Sequence, residues 1–250
     1  MIGRYSLEGE PIGIQPISGG APDETEALRR GVELRVGDFE RDAEPLARLY
    51  SHPDIIGHLA GVAPMDATDE EIKRVRRRYP NLTFFIATPE GIRDFYEKNP
   101  HLDLIVAQNA DGGIIGSVTV EKPGLGLTVA TLARLAVDPQ ERGRGVGDLL
   151  VVQGCEYIFA SSREGGLGYT QARANVIKDV EGYQRALSVF VKHGFGGVME
   201  FSDSCASWDS SQGRFISRGA VWTRLSKDAF QRIHQGRDTS QDFFRGPQTR

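Results

Sequence analysis

The segment Leu135-Ala136-Val137-Asp138-Pro139-Gln140-Glu141-Arg142-Gly143-Arg144-Gly145-Val146-Gly147-Asp148 concentrates residue types that bind anions. An apolar run enters a turn holding three glycines, and a helical pattern starts at once. Without a Cβ, such a turn lets the backbone come close to a ligand. The first N–H groups of the helix have no intrahelical acceptor and point outward, with the positive end of the helix dipole behind them. The dipole contributes only about 0.3–1 kcal/mol, so the N–H donors must carry most of the grip on a phosphate. Arg142 and Arg144 add charge. A P-loop would close on Gly-Lys-Ser/Thr, and this turn closes on Gly-Val-Gly-Asp. A dinucleotide fingerprint needs G-x-G-x-x-G. Here Asp148 stands where the third glycine belongs, and the following strand ends in Ala174-Asn175 with no acid for a ribose. A nucleotide-binding protein is therefore the most distant reading.

A third anion-binding pattern, R/Q-x-x-G-x-G/A, is that of acyl-CoA pyrophosphate loops, and Arg142, Gly145 and Gly147 match it in full. Further along, Ala186-x-x-x-Phe190-x-Lys192-x-Gly194-Phe195 is similar to A-x-x-x-Y-x-K-x-G-F. With these two motifs in order, the chain resembles the GNAT superfamily of acyl-CoA-dependent N-acyltransferases over roughly residues 32–226. The resemblance implies an α/β (α+β) fold: a mixed, mainly antiparallel sheet splayed at its centre, with helices on both faces. It implies acetyl-CoA as co-substrate and an amine-bearing small molecule or peptide as acceptor. Leu135, Ala136 and Val137 would bond the pantetheine arm through their backbone, and Arg142, Gly143, Arg144, Gly145, Val146 and Gly147 would hold the pyrophosphate.

The family's proton-handling positions differ here. Phe190 stands where a Tyr often protonates the departing thiolate, Tyr183 replaces a frequent Asn, and Thr131 replaces a frequent Glu base. A general acid or base contributes about 10²–10⁴-fold, whereas juxtaposing the reactants supplies about 7–11 kcal/mol, so the expectation is a slower or water-assisted enzyme. The substitutes are Tyr183 as acid and Glu121, His193 or Asp203 as base. The alternative is a protein that binds acyl-CoA without turning it over. Cys155, on an apolar helix, reads as core, and Cys205 has no neighbouring His in sequence. His52, His58, His101, His193 and His234 show no metal-ligand spacing.

The elements that must position these residues follow from patterning. VELRV from Val32 alternates as a strand. Asp38 or Asp42 caps a helix carrying Pro45 early, and Thr68 with Glu71 forms a capping box for a helix ended by Pro80. Its basic run, Lys73, Arg74, Arg76, Arg77 and Arg78, reads as a solvated face, with a phosphate or acidic-partner patch as the minority reading. NLTFFIAT reads as a strand and PEGIRDFYEKN as a helix. LDLIVAQ and IIGSVTVEKP form a hairpin, followed by ATLARLAV, the Gly-turn helix, YTQARANV, the helix YQRALSVFVKH, and a final strand pair, GGVMEF and RFISRGAVWTRL. SDSCASWDSS reads as a loop. It and the helical region 40–80 are expected on the acceptor side. Arg134, inside an apolar strand, is either a buried paired charge or turned outward.

The chain thus divides into an arm (1–30), the acyltransferase-like domain (31–226) and a polar tail (227–250). With 250 residues, 39% hydrophobic and 26% charged, it is long enough for a sizeable core. A net charge of −4 argues against nucleic acid as main partner and mildly favours a cationic acceptor. No apolar run suits a membrane span or secretory signal, and two cysteines make no disulfide framework, so the expected compartment is the cytoplasm. The oligomeric state is open.

Overall fold

A computed structural model of the chain describes residues 31–80, 82–124 and 127–234. The arm 1–30 and the stretch 235–250 of the tail lie outside the described residues. The chain order is β1 (Glu33–Val36), α1 (Phe39–Tyr50), α2 (Pro53–Ile56), β2 (Val62–Ala63), α3 (Asp69–Arg78), β3 (Phe85–Ile86), α4 (Pro89–Lys98), β4 (Leu102–Gln108), β5 (Ile114–Glu121), β6 (Val129–Val137), α5 (Val146–Phe159), β7 (Gln171–Ile177), α6 (Tyr183–Lys192), β8 (Gly196–Asp209), β9 (Arg214–Ser226) and α7 (Lys227–Ile233). Seven strands form one sheet in the order β1-β4-β5-β6-β7-β9-β8, antiparallel throughout except for the parallel pair β6–β7. One buried cluster joins α5, Phe190 of α6 and Phe230 of α7 to one face; another packs α1 to α4 on the opposite face. This is the mixed, mainly antiparallel sheet with helices on both faces that the residue patterns imply.

Local sequence accounts for most boundaries. Asp38, not Asp42, caps α1, accepting from the Glu40 N–H at 3.1 Å. Asp42 is buried and receives both Nη atoms of Arg35, at 2.5 and 2.7 Å. Burial raises its pKa, but the bonds from Arg35 and from the Asp38 N–H outweigh this and hold it below the ordinary carboxylate value. Pro45 lies inside α1 instead of in its first turn. Thr68 caps α3 as expected, but Glu71 does not return the bond to Thr68. Its carboxylate accepts the Phe215 N–H at 2.7 Å, while Arg74 donates to the Phe215 carbonyl at 2.8 Å. This stretch of β9 has no partner in β7, whose pairing ends at Ala220, so Glu71 and Arg74 cover an otherwise open strand edge.

Two expectations are corrected. Of NLTFFIAT only Phe85–Ile86 is a strand, paired with Val62–Ala63 in a separate two-stranded sheet. SDSCASWDSS is not a loop: β8 runs through it to Asp209, with a register shift between Phe201 and Cys205 where Asp203 takes φ 49. Its polar composition hides a strand because only Cys205, Ala206, Ser207 and Trp208 are buried. The segment assigned to a polar tail opens with α7, whose Phe230 is buried and meets the Phe159 ring at a tilt, centroids 5.4 Å apart.

Candidate active site

The sheet opens at one place. The β6–β7 ladder ends at the Leu132–Ala174 pair, after which β7 pairs only with β9 and β6 only with β5. The cause is a bulge. On β5, Ser117 opposes Ala136 and Thr119 opposes Ala133, which sets Arg134 and Leu135 of β6 against the single residue Val118. Arg134 sits at φ 50, a conformation costly for a side chain with a Cβ. Its guanidinium is pinned by Glu121 at 2.9 Å and lies 5.0 Å from the centre of the Phe95 ring. Of the two readings open from sequence, the structure selects the buried, paired charge: the Arg134 side chain is 6% exposed. Glu121→Ala is expected to cost about 2–3 kcal/mol in urea unfolding, somewhat below the range for a fully buried pair because Glu121 is 30% exposed.

Beyond the bulge, β6 leads through a short turn to α5. Gly143 and Gly145 take φ 77 and 81, and Gly145 is the N-cap of α5, without a side-chain cap. Among the described residues, no backbone carbonyl or side chain accepts from the amides of residues 143–148, whereas the Leu149 N–H bonds the Gly145 carbonyl at 2.9 Å. α5 comes very close to β6: a Cβ on Gly154 would lie 2.6 Å from Leu132 Cδ2. The open edge and the free amides share one cleft of about 510 Å³, between β6, β7, the start of α5, the inner side of α6, and Asp54, Ile55 and His58 at and after α2.

Of the expected coenzyme contacts, Leu135, Ala136, Val137, Arg142, Gly143, Gly145, Val146 and Gly147 line this cleft. Arg144 does not; its guanidinium is turned to Glu141 at 3.0 Å. Arg142 reaches across to the Asp54 carbonyl at 2.9 Å. A diphosphate fits a turn with unclaimed amides and Arg142, Arg185 and Lys192 about it, and an extended amide chain fits the unpaired edge of β6.

None of the four expected proton carriers lines the cleft. Tyr183 sits on the first turn of α6, its hydroxyl 3.5 Å from Gln184 Nε2. Glu121 serves Arg134. Asp203 is on β8 and accepts from Ser217 Oγ at 2.7 Å. His193 is fully buried, its Nε2 donating to Asp148 Oδ1 at 2.9 Å, and its ring stacks on His234. Asp148 also takes Lys192 Nζ at 2.6 Å, so one carboxylate ties the start of α5 to the end of α6. Burial raises the Asp148 pKa, but the bonds from His193 and Lys192 outweigh it, and the net shift is downward. Phe190 is buried against Phe195, and Thr131 accepts from Arg173 at 3.0 Å. Both cysteines are buried; burial pushes the Cys205 thiol up to about 11 and raises that of Cys155 well above its ordinary value.

The residue that sequence reading passes over is His58. It is half-buried in the cleft wall, two residues past α2. Burial is the largest cause lowering its pKa, with the Arg142 charge next and Arg218 adding to it; Asp54 and Glu181 act oppositely. No spacing rule marks a lone His after a four-residue helix, because its relation to the cleft is made by distant parts of the chain.

Comparison with known proteins follows this geometry. A family model for the acetyltransferase (GNAT) domain matches residues 100–196, which hold β4 to α6 and both cleft motifs. Residues 100–196 thus match a GNAT acetyltransferase domain. The fold beyond the matched segment is that of GNAT structures. A mutant spermidine N-acetyltransferase from Vibrio cholerae aligns with TM-score 0.54 at 12% identity, over 82% of this chain and 96% of that one. The spermidine N-acetyltransferase from Vibrio cholerae in complex with CoA and spermine aligns with TM-score 0.53 at 12% identity, over 80% and 97%. A candidate phosphinothricin N-acetyltransferase aligns with TM-score 0.53 at 18% identity, over 78% and 98%. At these identities the likeness is one of fold. No curated protein matches this chain by sequence. Among its described residues no helix is long and apolar enough to cross a membrane, and no cluster of His, Cys, Asp and Glu is arranged to hold a metal.

Proposed function

We propose that this protein transfers the acetyl group of acetyl-CoA to a primary amine on a small molecule or peptide. The observation that carries the reading is the joining, in one cleft, of the unpaired β6 edge beyond Leu132 with the unclaimed amides at the head of α5. In this reading the pantetheine amides bond the backbone of Leu135 to Val137 like an added strand. The diphosphate sits on the amides of residues 143–148, and the acceptor approaches from the side of His58. The neutral amine attacks the thioester carbonyl, His58 takes the proton it sheds, and the carbon–sulfur bond breaks to release CoA thiolate. A thiolate is a fair leaving group, with a conjugate thiol pKa near ~8.5, so the absence of a phenol at Phe190 is tolerable. The amine class is supported by the relative that holds CoA together with spermine.

Phe190 and Thr131 favour a second reading, in which acyl-CoA is bound and never consumed. Thiol release from acetyl-CoA in the presence of spermine, phosphinothricin or a lysine-bearing peptide separates the two. Amine-dependent release is the expected result. Binding of acetyl-CoA without release to any acceptor would leave the sensor, and absence of binding would end both.

A further inference from the structure

We propose that a second cavity, between α3 and the start of β9, binds a small carboxylate carrying an apolar body. Its volume is about 190 Å³, and it shares no lining residue with the acyl cleft. Arg74 and Arg78, one turn apart on α3, and Arg214, the first residue of β9, stand at its rim. Val75, Ala206 and Phe215 make a buried apolar floor.

The charges on this wall do not cancel. Arg74 is committed to docking α3: it pairs with Glu71 and donates to the Phe215 carbonyl. Arg78 has no carboxylate partner among the described residues, and its guanidinium lies 5.6 Å from the centre of the Tyr79 ring. Arg214 donates from Nε and Nη2 to the amide oxygen of Gln212, at 2.9 and 2.7 Å, a neutral acceptor, and the carboxylate within reach of its charge is Glu71, which is already paired with Arg74. Tyr79 donates to Ser217 Oγ, and the nearby carboxylate of Asp203 is satisfied by the Ser217 hydroxyl. Two guanidinium groups from separate elements thus face one cavity, neither with a salt-bridge partner among the described residues, and the one carboxylate whose charge reaches Arg214, Glu71, is shared with Arg74. Their planar forks match a carboxylate in two-point fashion, as an ammonium does not. The apolar floor supplies burial for a ring or short alkyl chain, which inorganic phosphate would leave unused. Lys73, Arg76 and Arg77, from the same basic run, are exposed and do not line the cavity, which fits the solvated-face reading for that part of the helix.

Calorimetric titration of the full chain at constant ionic strength, with benzoate as probe and benzyl alcohol and inorganic phosphate as comparisons, tests this. Benzoate is expected to bind, and the double variant Arg78→Gln/Arg214→Gln to weaken it by about tenfold or more, with acetyl-CoA binding unchanged. Arg78→Lys/Arg214→Lys keeps the charge and loses the forks, so it too weakens binding and covers the case in which the first variant folds poorly. The proposal is overturned if benzoate fails to bind, binds both variants as it binds the parent, or is matched by benzyl alcohol or phosphate.

Discussion

Gly147→Glu is expected to leave the protein folded and to lower its affinity for acetyl-CoA by about 100-fold or more, near 3 kcal/mol. The position separates fold from ligand. Gly147 lies in the first turn of α5, where its backbone is helical, and a Cβ there would meet Val137 Cγ2 at 3.7 Å and Val189 Cγ1 at 3.9 Å, ordinary contacts. Replacing glycine near a helix N-terminus also lowers the entropy of the unfolded chain, and an acid there suits the dipole. The longer side chain enters the cleft between β6 and α6, where it would occupy and repel the diphosphate. Calorimetry with acetyl-CoA, alongside urea unfolding of the same variant, checks it. An unchanged affinity in a folded variant would mean that the head of α5 is not where the coenzyme sits.

His58→Gln is expected to lower kcat by about 10²–10⁴-fold with the KM for acetyl-CoA nearly unchanged. The sign of the pH effect follows from the environment. Burial first and the Arg142 charge second disfavour imidazolium, so the pKa lies below the ordinary imidazole value and the neutral, proton-accepting ring prevails at neutral pH. If the proposed transfer runs through His58, the rate of the parent protein should therefore fall as pH drops through a value below the ordinary imidazole pKa, and that limb should vanish in the glutamine variant. Among the other acids and bases of the cleft wall, Asp148 is held by His193 and Lys192, and Glu141 by Arg144. Asp54 and Glu181 are exposed, and a solvated carboxylate is intrinsically a weaker base than imidazole. A variant that keeps both the rate and the acid limb would remove His58 from the chemistry and leave the acetyl-CoA reading intact.

How much of this was legible beforehand varies with range along the chain. Helix starts at Asp38, Thr68 and Thr88 rest on a side chain meeting an amide two or three residues on, so local sequence contains the whole cause. GGVMEF announced the first part of β8, but its continuation to Asp209 did not announce itself, because a Ser- and Asp-rich segment becomes a strand only when β9 supplies its hydrogen bonds. Glu71 shows the same competition: a local partner was available at Thr68, and a distant amide at Phe215 took its carboxylate.

By itself the sequence determined the glycine-rich turn and the helix behind it, since glycines at positions 143, 145 and 147 and a helix head are features of adjacent residues. It also determined the order of strands and helices that makes the domain. Tertiary structure decided which titratable groups share the cleft. Tyr183, Glu121, His193 and Asp203 were left outside it, and His58 was brought in by the packing of α2 across the mouth of β6. The physical reason is that a proton carrier needs only to be near the reacting atoms in space, and that nearness comes from contacts between residues far apart in the chain, which no local pattern encodes.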